Sequence, residues 1–82
     1  MVEIRYSNAA AKALRRSDKR ALIREKIDQL AVDPASLGAN VIRLSGRDDF
    51  RLRVQNWRVL FRIEQGVLLV DQVQPRGAAY ED

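Results

Sequence analysis

The chain has 82 residues, 46% of them hydrophobic, which is enough for one globular domain spanning 1–82 with a marginal core and too little for a second. It contains no cysteine and no histidine, which excludes disulfide staples, thiolate zinc sites and the commonest general base at neutral pH. The net charge is +4, with twelve arginines to three lysines. Planar guanidinium forks suit phosphate, but codon bias alone gives the same ratio, so composition leaves nucleic-acid contact open. No run approaches the roughly 20 apolar residues of a membrane span, and Glu3 and Arg5 stand where a signal peptide would be apolar. A cytoplasmic protein with no metal, no cofactor and no membrane contact is expected.

The first segment, "VEIRY", alternates: Val2, Ile4 and Tyr6 on one side, Glu3 and Arg5 on the other. It predicts a short strand. "SNAAAKALRR" follows as a helix, with Ser7 or Asn8 as its N-cap. A second helix runs through "DKRALIREKIDQLAVDP", where Asp18 can cap and Leu22, Ile23, Ile27, Leu30 and Ala31 recur at helical spacing. Asp33-Pro34 stops it, because proline disfavours helical geometry in the residue before it. With almost no linker near Ser17, the two helices are expected to form an antiparallel hairpin.

After the loop "PASLGAN" the period changes to two. "VIRLS" is a short strand. "DFRLRVQ" and "WRVLFRIE" follow, then a turn at "EQG" and the last strand, "VLLVDQVQP". Turns this short make neighbours antiparallel. The expected fold is α+β: an N-terminal strand, a helical hairpin, then a three- to four-stranded antiparallel sheet with the helices on one face.

Alternation places Phe50, Leu52 and Val54, and then Val59, Phe61 and Ile63, toward the helices. Arg51, Arg53, Arg58, Leu60 and Arg62 are then expected on the open face. The last strand is apolar at both parities. Burying Val67, Leu69 and Val73 sends Gln72, Gln74 and Arg76 outward but turns Asp71 inward. Like charges facing across strands are destabilising, so this cationic face either binds an anion or is solvated and paired with Asp48, Asp49 and Glu64. Four residues past Arg76 stands Tyr80. A phenol titrates near 10, and neighbouring guanidinium groups favour its phenolate.

With its strand, its helical hairpin and "FRLRVQNWRVLFRIEQGVLLVDQVQPRGAAY", the chain resembles the RelE/ParE superfamily of bacterial type II toxin–antitoxin toxins. The resemblance covers essentially the whole chain. Its specific part runs from about Leu44 to Tyr80, where "WRVLF" is followed by "PRGAAY". The joint presence of Arg58, Arg76 and Tyr80 favours the RelE-like branch, whose members are ribosome-dependent, metal-independent endoribonucleases that cut mRNA. The resemblance implies Arg53, Arg58, Arg76 and Tyr80 as catalytic and Arg51, Arg53 and Arg62 as substrate-binding. Tyr80 would be the base that takes the proton of the 2′-hydroxyl, Arg53 and Arg58 would hold the scissile phosphate, and Arg76 would assist the leaving oxygen. The alternative is a ParE-like toxin that inhibits DNA gyrase without cutting RNA. It is motivated by arginines where lysines often stand and by Pro75 where a histidine often precedes the closing arginine. A plain nucleic-acid-binding domain is a third reading. The resemblance also implies a cognate antitoxin, expected as an acidic amphipathic segment using Leu60 as an apolar anchor.

Overall fold

The computed structural model describes residues 2–33, 41–43 and 49–77. Strand β1 (Glu3–Tyr6) leads into α1 (Asn8–Arg16) and α2 (Arg20–Val32), followed by β2 (Val41–Arg43), β3 (Phe50–Val54), β4 (Trp57–Glu64) and β5 (Val67–Pro75). Ser7 is the N-cap of α1, its Oγ accepting from the Ala10 amide at 3.0 Å. Asp18 does not cap α2. Lys19 occupies that position without a side-chain bond, and its own amide donates to Ser17 Oγ at 3.0 Å. The helix ends at Asp33, whose φ of −146° and ψ of 94° are extended rather than helical, the side of the map that a following proline favours.

The sheet order is β1-β5-β4-β3-β2. Strands β2 to β5 are an antiparallel meander, and β1 adds to the edge of β5 in parallel. The β4–β5 connection is Gln65-Gly66, both at positive φ (50° and 76°), the combination a tight two-residue hairpin requires. Both helices pack on one face, where Ala10, Leu14, Ile23, Ile27 and Leu30 meet Leu52, Val54, Val59, Phe61, Leu68, Val70 and Val73. Phe50 and Phe61, directly opposite in the β3–β4 register, stack at 5.4 Å.

Two expectations about the core fail. Ile63 is 41% exposed; β3 begins opposite Phe61, and among the described residues it gives β4 no partner on that side beyond it. It lies at the mouth of a small apolar pocket with Leu30, Val41, Phe50 and Phe61. In β5 the inward residues are Leu68, Val70 and Val73, whereas Val67 and Leu69 are only half-buried. A bulge causes this. Leu60 pairs with Gln72 but Phe61 pairs with Val70, leaving Asp71 as the extra residue. One added residue reverses the parity of a strand. Leu68 and Val70 therefore point inward before the bulge and Val73 after it, and no carboxylate enters the core.

Candidate nucleic-acid interface

The register of the strands arranges the face opposite the helices as four cross-strand rows. Starting from the β3–β4 turn, these are Arg53, Arg58 and Gln74; Ile42, Arg51, Leu60 and Gln72; Arg62, Leu69 and Arg5; and Glu64, Val67 and Glu3. Charge runs from positive at the β3–β4 turn to negative at the β4–β5 turn. Period-two alternation on three strands and the single bulge on β5 are enough to produce this gradient.

Arginines 51, 53, 58 and 62 share the face, as alternation predicts, but not all of them project into solvent. Arg53 is exposed, Arg62 is half-buried, and Arg51 and Arg58 are 9% and 6% exposed. Leu60 is buried at 5% yet stands outside the core cluster beneath the helices. The register surrounds it with Arg51 across the strand and Arg58 and Arg62 two positions away along it. Their aliphatic stems can cover it while the charged ends stay polar. This correction removes Leu60 as a ready anchor for a partner. Ile42, 44% exposed at the end of the same row, is the available apolar side chain there.

Arg58 is held by the turn it follows. Its Nη1 donates to the carbonyls of Gln55 at 2.8 Å and Trp57 at 2.9 Å. Gln55 carries a positive φ of 51°, a conformation costing a non-glycine residue roughly 1–2 kcal/mol. The charge-assisted bonds offset that cost and fix the guanidinium plane. Arg76 joins the same end of the sheet: its amide donates to the Asn56 carbonyl at 2.7 Å, bringing it beside the turn between Arg53 and Arg58. The backbones of Arg53, Arg58 and Arg76 thus meet at one end of the sheet. Tyr80 lies outside the described residues, as do Leu44 and Asp48.

Arg62 has different surroundings. Its Nε donates to Asp71 Oδ2 at 3.2 Å and its Nη1 to Glu64 Oε2 at 3.1 Å. Glu64 was an expected partner. Asp71 was not, and the signal for it is the run "VLLVDQV", apolar at both parities, which calls for a bulge next to its one charged residue. Ser7 secures the bulge: its Oγ donates to the Asp71 carbonyl at 2.7 Å, and its amide donates to the Val70 carbonyl at 2.9 Å. On the edge strand, Arg5 pairs with Glu3. Among the described residues no group of three His, Cys, Asp or Glu could hold a metal ion, and no helix is long and apolar enough to cross a membrane.

No protein-family model matches the chain, and neither does any curated protein sequence. Solved structures do match. The RelE–RelB complex from the archaeon Pyrococcus horikoshii superposes with a TM-score of 0.80 at 26% identity, over 95% of this chain and 98% of that one. The isolated RelE toxin of E. coli gives 0.76 at 19% identity, over 100% and 88%. YafQ of E. coli gives 0.77 at 16% identity, over 99% and 100%. Agreement over nearly the full length of both chains, with the strand–helix–helix–meander order described above, gives the chain the fold of the RelE-like toxin superfamily.

Proposed function

We propose that the chain is the toxin of a type II toxin–antitoxin pair and acts as a ribosome-dependent mRNA endoribonuclease. The observation that carries this reading is the placement of Arg53, Arg58 and Arg76 along the chain at the same end of the sheet, around the β3–β4 turn. Cleavage without a metal uses the RNA's own 2′-hydroxyl. A base removes its proton, the oxygen attacks the adjacent phosphorus, and the bond from phosphorus to the 5′-oxygen breaks, that oxygen leaving as an alcohol with a proton taken from water and a cyclic phosphate left behind. The enzyme has to supply the base and to stabilise charge on the phosphorane-like transition state. Arg58, its Nη1 held by two carbonyls, would stabilise the charge on the phosphate. Arg53 stands directly opposite it, and Arg76 would serve the leaving oxygen. Tyr80 is the proposed base, within a chain that has no histidine. Arginine cannot take that role, because its guanidinium stays protonated in a protein.

The partner would be a cognate antitoxin. Solved relatives of this fold include RelE–RelB and RelBE complexes. An acidic amphipathic segment is the chemistry that suits a basic face with Ile42 at its edge. Expressing the chain alone tests the activity: translation should stop and mRNAs should be cut within codons, and Tyr80→Phe should abolish both effects. Growth arrest with intact mRNA, accompanied by inhibited supercoiling by purified gyrase, would replace the ribonuclease reading with the ParE-like one.

A further inference from the structure

The charge gradient on the sheet bears on how far an RNA strand can run across it. The two rows nearest the β3–β4 turn bring together Arg51, Arg53 and Arg58. The two rows beyond the bulge hold Arg5 and Arg62 with Glu3 and Glu64, and Asp71 sits on the bulge itself. That second half has a formal charge of −1, two arginines against three carboxylates. Arg62, the one arginine there on a central strand, is engaged by two of those carboxylates.

We propose that Asp71 and Glu64 end the nucleic-acid track at the bulge, withholding Arg62 from phosphate and confining RNA to the half of the face that carries Arg53, Arg58 and Arg76. The inference rests on the RNA-binding reading above and specifies its footprint. Its physical basis is charge balance. A half-exposed ion pair of this kind is weak and gives way to a better partner, so the pairs alone would not keep a phosphate from Arg62. A phosphate placed there, however, would share the guanidinium with two fixed negative charges and be repelled by both. The barrier is well placed because Asp71 is anchored through its backbone: Ser7 bonds its carbonyl, and the bulge turns its side chain to the RNA-facing side. A narrower footprint favours a substrate presented at one point, as a ribosome presents a codon, over free RNA lying along the sheet.

The test is the salt dependence of binding to a labelled single-stranded RNA oligonucleotide, read by fluorescence anisotropy. In such plots each phosphate contact contributes a slope of about 0.7. The double variant Asp71→Asn, Glu64→Gln, which changes charge but hardly shape, should steepen the slope by about one contact, roughly 0.7. Adding Arg62→Ala to it should return the slope to that of the parent chain. An unchanged slope in the double variant overturns the proposal. So does a steeper slope that survives Arg62→Ala, since that reports general charge, and so does Arg62→Ala alone costing the parent as much slope as Arg53→Ala. A parent chain with no salt-dependent binding overturns the RNA reading and this inference together. A parent whose slope falls in Arg53→Ala upholds that reading whatever the double variant does.

Discussion

Replacing Ser7 with alanine should cost this protein far more than an ordinary helix cap, because one hydroxyl serves two elements. Its oxygen accepts from the Ala10 amide at 3.0 Å and caps α1, and its proton goes to the Asp71 carbonyl at 2.7 Å on the bulge of β5. Losing the cap costs about 1 kcal/mol. Leaving the bulge carbonyl without its donor costs about 1–3 kcal/mol more, nearer the lower figure because Ser7 is only half-buried. The sum is roughly 2–3 kcal/mol, which for a domain of this size lowers Tm by about 10–20 °C. Urea melts followed by circular dichroism give the free energy, and two further variants separate its parts. Ser7→Thr keeps donor and acceptor and should fall within about 0.5 kcal/mol of the parent. Ser7→Asp keeps only the acceptor and should lose about 1–2 kcal/mol, the donor's share. If Ser7→Ala cost less than about 0.5 kcal/mol, or if Ser7→Asp matched Ser7→Thr, the hydroxyl would not be tying the helix to the bulge.

Gly66→Ala isolates backbone strain: nothing lies within 4 Å of an added Cβ, but φ is +76°, so denaturant melts should show a loss of about 1–2 kcal/mol. Arg58→Lys keeps the charge but loses the planar guanidinium whose Nη1 reaches both the Gln55 and the Trp57 carbonyl. It should lower stability by about 1–2 kcal/mol and ribosome-dependent cleavage by about 10²–10³-fold; full activity would exclude Arg58 from transition-state stabilisation. Burial raises the pKa of Tyr6 above 10.0, with Asp28 adding to the effect and Arg24 opposing it. The neutral phenol is therefore favoured in the folded state, and its contribution is complete below the unfolded pKa and lost as pH rises through the folded one. Tyr6→Phe should flatten stability above pH 10 relative to the parent, and identical alkaline limbs would exclude this linkage. Co-expression with an acidic amphipathic antitoxin segment should raise the Tm of the chain, and an unchanged Tm would count against such a partner.

The sequence alone was enough to determine the α+β class, both helices, the meander, the Gln65-Gly66 turn and the face on which each arginine of β3 and β4 sits. These follow from local rules: periods of 3.6 and 2, a cap at Ser7 or Asn8, Asp33 before proline. The resemblance carried by "WRVLF" and "PRGAAY" pointed to the superfamily that the fold then matched. Three features depended on contacts distant in sequence. The parallel pairing of β1 with β5 joins residues more than 60 positions apart, and no local pattern encodes it. The bulge at Asp71 arises because β5 must fit β4 on one side and Ser7 on the other, and either parity of "VLLVDQV" alone satisfies only half of that strand. The burial of Arg51, Arg58 and Leu60 depends on their neighbours across β3 and β4, with Arg58 also drawn onto the Gln55 and Trp57 carbonyls. Alternation assigns a residue to a face; only its packed neighbours decide whether solvent, a carbonyl or a carboxylate meets it there.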